Sequence, residues 1–101
     1  MKHMVRYKLK ADRVAENERL IVKVYDELAA SKPPGLHYAT FRADDGVSYF
    51  HVVFHDFEGA GNALTALPAF KAFTAEIRDR CVEPPARVEL TEIGSYRFPG
   101  G

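Results

Sequence analysis

The sequence predicts an α+β fold, in which one four-stranded antiparallel sheet carries two helices on a single face. Stretches with the two-residue alternation of strands and stretches with the three- and four-residue spacing of helices follow one another as strand, helix, strand, strand, helix, strand. An Asp45-Gly46 pair joins the two middle strands, as the loop of a tight hairpin would. The 101 residues are expected to form one domain, 1–101, because a chain of this length holds a single core.

Composition and charge exclude several classes of protein. Lys and Arg together number 14, as do Asp and Glu, so the chain lacks the basic surplus on which nucleic-acid binding usually rests. The single cysteine, Cys81, excludes an internal disulfide and a cysteine zinc cluster, which favours a reducing compartment. No stretch has the pattern of a signal peptide or a membrane span. We therefore expect a cytoplasmic protein with neither nucleic-acid nor membrane partners.

The first strand and the first helix follow from their periodicity. Alternation over residues 4–10 predicts a strand in which Val5, Tyr7 and Leu9 share one side. Asp12 suits the N-cap of a helix that continues to about residue 30. The apolar stripe of this helix consists of Val14, Ile21, Val24, Tyr25 and Leu28. Asn17 lies in the same stripe, so it either sits at the margin in contact with water, the more ordinary arrangement, or faces a polar group.

The central hairpin has a register that can be derived from its turn. A Pro33-Pro34-Gly35 run ends the helix, and strands over residues 36–43 and within residues 46–57 follow. With Asp45-Gly46 as the loop, the predicted partners are Tyr38 with Val53, Ala39 with Val52, Thr40 with His51, Phe41 with Phe50, and Arg42 with Tyr49. One face is then apolar and carries Ala39, Phe41, Phe50, Val52 and Phe54. The other face is mixed and carries Leu36, Tyr38, Thr40, Arg42, Tyr49, His51 and His55.

The apolar face is expected to meet the helices. We predict that Val5, Tyr7, Leu9, Phe41, Phe50, Val52, Phe54, Val88 and Leu90 form this helix-facing side. The mixed face would then meet solvent, a ligand or a second subunit. It is therefore the face on which a functional site is expected.

The second helix and the last strand complete the order. The helical stripe consists of Ala63, Leu64, Leu67, Phe70, Phe73, Ile77 and Cys81. Pro68 predicts a break near Leu67, because proline is tolerated in the first turn of a helix and not in its interior. Pro84-Pro85 is expected to end the helical element, and residues 87–98 to form the last strand, with a bulge or bend at Gly94.

These elements resemble a known family. The Pro-Pro-Gly before the second strand, the ADDG turn and the run FHVVFHDFEGAGNALTALPAFKAF resemble the dimeric α+β barrel proteins, in particular the group similar to antibiotic-biosynthesis monooxygenases. Positions typical of that group's strand-to-helix segment are occupied by Asp56, Glu58, Ala60, Pro68, Phe70 and Phe73. The resemblance implies a ferredoxin-like βαββαβ fold, and a homodimer in which two sheets pack face to face into a barrel.

The candidate site residues belong mainly to the mixed face. His51 is the candidate base, because histidine exchanges a proton near neutral pH, and Tyr49 is the second candidate catalytic group. The candidate ligand-binding residues are Arg6, Asn17, Tyr38, Thr40, Arg42 and His55. His51 and His55 lie four residues apart on a strand, about 13 Å at ~3.3 Å per residue, so we expect no shared metal ion. Leu64 and Ala69 stand where the family commonly has histidines, so no haem or other cofactor is expected.

Two functions remain open from the sequence. The first is a homodimeric barrel that binds a small aromatic or anionic ligand and acts as a cofactor-independent monooxygenase on an electron-rich aromatic compound. The alternative is a non-enzymatic barrel of the stress-responsive type, which acts as a binding or interaction module. A polar face that meets only water or a partner subunit would also explain the histidines and tyrosines.

Overall fold

The structure is a computed structural model that describes residues 2–98. Its elements are β1 (Lys2–Leu9), a 3₁₀ turn (Ala11–Arg13), α1 (Val14–Ser31), β2 (Leu36–Arg42), β3 (Ser48–His55), α2 (Asn62–Thr65), α3 (Pro68–Ala75), α4 (Ile77–Arg80) and β4 (Cys81–Leu90). The strands form one antiparallel sheet in the order β2-β3-β1-β4, and the helices pack on one face. The predicted α+β, ferredoxin-like fold is confirmed.

The hairpin between β2 and β3 has the predicted register. The paired residues are Tyr38 with Val53, Ala39 with Val52, Thr40 with His51, Phe41 with Phe50, and Arg42 with Tyr49. Gly46 has φ of +79°, a conformation that glycine adopts without steric cost. Asp45 Oδ1 accepts hydrogen bonds from the backbone N–H groups of Val47 and Ser48, at 2.9 and 2.8 Å. The turn is therefore held by both its glycine and its aspartate.

The helices cover the mixed face of the sheet, which we had predicted to face away from them. Strand β1 pairs Tyr7 with Tyr49 and Val5 with His51, and directly opposed residues share a face. Tyr7, Tyr49 and His51 are all buried. The predicted helix-facing side is thus right for Val5, Tyr7 and Leu9. It is wrong for Phe41, Phe50, Val52, Phe54, Val88 and Leu90, which lie on the outer face.

The reversal has a physical reason. Tyrosine and histidine are buried readily when their polar atoms find hydrogen-bond partners. Helix α1 supplies such partners to Tyr7 and Tyr49, and the neighbouring strands supply those of His51. Phe41 on the outer face keeps 57% of its surface exposed. Apolarity alone therefore does not decide which face of this sheet the helices cover.

The second helical segment breaks where proline predicts it. Leu67 has extended backbone angles, φ −66° and ψ 132°, and Pro68 is the first residue of α3. A proline at that position loses no hydrogen bond, because the first N–H groups of a helix have no partner within it. The predicted break near Leu67 is confirmed.

Strand β4 begins earlier than predicted and also ends earlier. It starts at Cys81 and includes Pro84 and Pro85, which we had expected to lie before the strand. Arg6 of β1 pairs with Ala86 of β4, and Lys8 pairs with Glu83. Two steps along β1 thus correspond to three along β4, so β4 has one extra residue, a bulge, at the prolines. An edge strand accommodates such prolines because one of its sides needs no ladder hydrogen bonds.

Residues 91–98 lie beyond the strand. Gly94 is therefore not a bulge within it. The Phe98 ring packs against Phe54 on the outer face, with ring centroids 5.6 Å apart. No helix within residues 2–98 is long and apolar enough to cross a membrane.

Candidate functional site

A cavity of about 500 Å³ lies between the helix-covered face of the sheet and helices α2 to α4. We call it the inner cavity. Its walls are mainly apolar and include Val5, Val53, Leu64, Phe70, Phe73 and Ile77. Its polar lining consists mainly of sheet residues, with Glu58 from the loop before α2. The sheet residues are His3, Tyr7, Tyr38, His51, His55 and Arg87. This size and this balance are typical of a site for a small organic molecule.

His51 is the centre of the polar lining. The Tyr7 hydroxyl oxygen lies 2.7 Å from its Nε2, and the Tyr38 hydroxyl oxygen lies 2.5 Å from its Nδ1. Thr40 Oγ1 is a second partner of Nδ1, at 3.1 Å. The three partners come from the two strands that flank β3, so the sheet register itself assembles the cluster.

The cluster is uncharged at neutral pH. Burial lowers the pKa of His51 to about 4, because the charged imidazolium is disfavoured away from water. Burial raises the pKa values of the Tyr7 and Tyr38 hydroxyls well above the usual value for tyrosine. At pH 7 the inner cavity therefore presents a neutral imidazole and two protonated phenols.

A second layer of polar groups supports Tyr7 from behind. Asn17 is fully buried, and its Nδ2 donates to the Tyr7 hydroxyl oxygen at 3.0 Å. Arg80, 1% exposed, donates from Nε to Asn17 Oδ1 at 3.1 Å and from Nη2 to the Phe73 carbonyl at 2.6 Å. Asn17 thus faces polar groups, and the expectation that it sits at a water-exposed margin is wrong. It stands behind the wall of the inner cavity and does not line it.

Arg80 was missed at the sequence level. It lies three residues after Ile77 and seven after Phe73, so it occupies the apolar stripe of the second helical segment. A charged residue in such a stripe is expected to have buried partners. That position was the signal that could have identified it.

Tyr49 and Arg42 belong to a different contact. The Tyr49 hydroxyl donates to Glu18 Oε1 at 2.9 Å, and Arg42 Nη1 donates to the same oxygen at 2.6 Å. Neither residue lines the inner cavity. The Tyr49 ring stacks on Tyr7 with centroids 5.5 Å apart, so it supports the cluster through packing only. Helix α1 passes over this end of the sheet, and its Glu18 satisfies both side chains.

The remaining predicted ligand residues are divided between the two faces. Arg6 pairs with Phe50 and lies on the outer face, away from the inner cavity. Thr40 contacts His51 without lining the inner cavity, whereas Tyr38 and His55 do line it. Of the eight predicted site residues, the structure therefore brings only His51, Tyr38 and His55 to the inner cavity wall.

The end of the inner cavity near α2 is lined by His3, His55 and Arg87, together with Glu58. The His3 and His55 rings meet edge to face, with centroids 5.6 Å apart. Burial and the nearby charge of Arg87 lower the pKa of His3. Gly61 lies directly against the His55 ring, since a Cβ at this position would be 2.5 Å from His55 Nε2. Across residues 2–98, no three His, Cys, Asp or Glu side chains are grouped so that they could hold a metal ion.

Comparisons with known proteins show the fold of this chain. The sequence matches no protein-family model and no curated protein. A protein from Bacteroides thetaiotaomicron, provisionally named an antibiotic biosynthesis monooxygenase, has a TM-score of 0.78 at 15% identity over 92% of this chain and 89% of its own. A similarly named protein from Nitrosomonas europaea has a TM-score of 0.76 at 14% identity over 92% of this chain and 98% of its own.

A third structure has a more specific name. It is a mutant of SnoaB from Streptomyces nogalater, a cofactor-independent oxygenase, with a TM-score of 0.68 at 17% identity over 96% of both chains. Identities this low show a shared fold and nothing finer. The chain therefore has the ferredoxin-like α+β fold of structures named antibiotic biosynthesis monooxygenases.

Proposed function

We propose that this protein binds a small aromatic molecule in the inner cavity and oxidises it with molecular oxygen, without a cofactor. The observation that carries the proposal is a mainly apolar cavity with a neutral, buried imidazole in its wall, hydrogen-bonded to two phenols. Apolar walls suit an aromatic ring, and a neutral imidazole is able to accept a proton at pH 7. The name of the SnoaB structure supports the reaction class by analogy of fold.

The proposed oxidation by O₂ requires only two contributions from the protein. An anthrone, for example, carries a CH₂ group between two aromatic rings and loses a proton to give an electron-rich anion. That anion transfers electrons to O₂; one oxygen atom enters the substrate as a carbonyl, and the other leaves as water with the two hydrogens of the CH₂ group. The protein's part is to take the first proton and to stabilise the anion. His51 is the proton acceptor, and the protonated Tyr38, which lines the inner cavity, is the donor to the anion.

Oxygen consumption tests this proposal. Purified protein is given a panel of anthrones, and O₂ uptake is followed together with product formation. We expect one O₂ consumed per carbonyl formed, and a loss of at least tenfold for His51→Gln, since general-base catalysis contributes about 10²–10⁴-fold. His37→Gln is the matched control, because His37 pairs with Asp56 away from the inner cavity. No uptake above background across the panel, or equal activity in both variants, would refute the catalytic proposal.

A non-enzymatic binding module is the second candidate function. Either function is expected of a dimer, and the outer face of the sheet supports a dimer. Phe41 and Phe98 are 57% and 55% exposed there, and Val88 and Leu90 are exposed beside them. A single chain leaves this apolar sheet face to water, which is unfavourable for its solubility. We propose that a second copy covers it, so that two sheets pack face to face.

The oligomeric state tests the dimer separately from catalysis. We expect analytical ultracentrifugation to give twice the mass of the chain, and Phe41→Lys to give a folded monomer, because a charge in an apolar interface loses its hydration. Val22→Lys is the control, since Val22 is 57% exposed on α1, outside the outer face. A wild-type monomer would contradict the dimer. A dimer that binds aromatic probes without turnover would favour the binding module.

A further inference from the structure

The buried guanidinium of Arg80 fixes the orientation of Asn17. A guanidinium has only donors, so the atom of Asn17 that faces Arg80 Nε must be the amide oxygen. The amide nitrogen then faces Tyr7, 3.0 Å from its hydroxyl oxygen. The Tyr7 oxygen is therefore an acceptor in this hydrogen bond.

The direction of the next hydrogen bond follows. Within residues 2–98, His51 Nε2 is the other partner of the Tyr7 hydroxyl, at 2.7 Å. We assign the Tyr7 proton to this hydrogen bond, because Nε2 is the only acceptor within residues 2–98 that the Tyr7 hydroxyl contacts, whereas Asn17 already donates to it. His51 Nε2 is then the acceptor and carries no proton. The neutral ring consequently holds its proton on Nδ1.

The other side of the ring acts as the donor. Nδ1–H points to the Tyr38 oxygen at 2.5 Å and to Thr40 Oγ1 at 3.1 Å. The Tyr38 oxygen accepts this hydrogen bond, so the hydrogen of Tyr38 is directed elsewhere. Two directions are open to it: Thr40 Oγ1, which already has the Tyr25 hydroxyl as a partner at 2.7 Å, and the inner cavity that Tyr38 lines.

We infer that Arg80 and Asn17 are positioning residues that hold His51 in the Nδ1-protonated tautomer, and that the Tyr38 hydroxyl is thereby the hydrogen-bond donor for a ligand in the inner cavity. The ligand class that fits is a small aromatic compound with a carbonyl or phenolate oxygen, because such an oxygen accepts the Tyr38 hydrogen while the ring packs on apolar walls. This inference rests on the proposed use of the inner cavity as a ligand site. It does not require oxidation of the ligand.

The tautomer is tested first, without any ligand. Nitrogen-15 NMR of labelled protein distinguishes the two neutral forms of imidazole and the charged form. At about pH 8, where the ring is neutral, we expect a protonated Nδ1 and a bare Nε2. A proton on Nε2, or on both nitrogens, would overturn the inference.

An Asn17→Asp variant tests the coupling to Arg80. The new carboxylate accepts from Arg80 and, having only acceptors, also accepts the Tyr7 proton. The Tyr7 oxygen then accepts from His51 Nε2–H, the tautomer reverses, and Tyr38 donates to Nδ1. Thr40→Val is the control and leaves the tautomer unchanged. A folded Asn17→Asp protein that keeps the wild-type tautomer would refute the coupling; if this variant does not fold, the wild-type measurement still decides the tautomer.

Two probes test the ligand half: 1-tetralone, an aromatic ketone, and tetralin, the same skeleton without an acceptor. For Tyr38→Phe we expect about a tenfold loss of affinity for 1-tetralone, the size of one net hydrogen bond, and no change for tetralin. The infrared carbonyl band of bound 1-tetralone should shift to lower frequency in the wild type and not in Tyr38→Phe. Equal affinities for 1-tetralone, or no binding of either probe, would overturn this half. None of these measurements uses turnover, so a failed oxygenase assay is a separate result.

Discussion

The folded protein should lose stability as the pH falls from 8 to 5, and His51 should cause most of the loss. Its pKa is about 4 in the folded state, because burial disfavours the imidazolium, and 6.5 for a free histidine. Below pH 6.5 the unfolded chain binds a proton at His51 that the folded chain does not bind until the pH is near 4. The free energy of unfolding therefore falls as the pH is lowered through this range. From the two pKa values the loss is about 2 kcal/mol at pH 5, and about 3 kcal/mol once both states titrate fully.

Urea unfolding followed by far-UV circular dichroism measures this loss, since the chain has no tryptophan. Few carboxylates titrate between pH 8 and 5, so their contribution stays small in that window. The pKa of His3 is also lowered, and its share remains in a His51→Gln variant. We expect a drop of about 2 kcal/mol from His51 in the wild type and a clearly smaller drop in the variant. Equal drops in the two proteins, or an NMR titration of His51 centred near 6.5, would refute the reasoning.

Three further substitutions have outcomes set by single contacts. Gly61→Ala should lower both thermal stability and affinity for 1-tetralone, because its Cβ would lie 2.5 Å from His55 Nε2 and must displace a ring that lines the inner cavity; unchanged affinity would contradict this. Gly46→Ala should cost about 1 kcal/mol in urea unfolding, because its φ of +79° strains any side chain although nothing lies within 4 Å. Tyr49→Phe should cost about 1 kcal/mol through the lost hydrogen bond to Glu18, with probe affinity unchanged; an affinity loss would place Tyr49 in the site.

The hairpin shows what sequence determines well. Its register depends on the position of the turn, which lies within residues 43–47 of the structure, and on alternation within about ten residues on either side. Both are local properties of the chain. The break at Pro68 is local in the same sense, since it depends on one missing N–H group. Such features can be derived before any tertiary contact is known.

The choice of the covered face is not local. It depends on how β1, more than forty residues before β3, pairs with it, and a shift of one residue reverses every side chain. Asn17 in the stripe of α1 does not settle the choice either. Its partner is Tyr7 of β1, which faces the helices in the predicted and in the observed arrangement. The face of the hairpin that the helices cover is therefore decided by the pairing of β3 with β1.

The predicted start of β4 is wrong for a different reason. Two consecutive prolines usually end a regular element, but on an edge strand a bulge places them without breaking the ladder. Whether a strand is at an edge depends on the order of strands in the sheet, which the sequence of elements does not specify uniquely. The burial of Arg80 is also not a local property. Arg80 lies directly before β4, and its hydrogen-bond partners lie on α1 and α3.

The low pKa of His51 restricts the substrates that the proposed reaction accepts. Moving a proton from a phenol of pKa about 10 to an imidazole of pKa about 4 costs about 8 kcal/mol, since each unit is worth about 1.4 kcal/mol. The attraction between the resulting anion and the imidazolium returns about 4 kcal/mol at 4 Å and an effective dielectric constant near 20. An acidic substrate with a pKa near 7 is thus brought close to balance, whereas a simple phenol is not. Burial weakens the base and strengthens the ion pair at once, so the inner cavity favours aromatic compounds whose acidity is already raised by a neighbouring carbonyl.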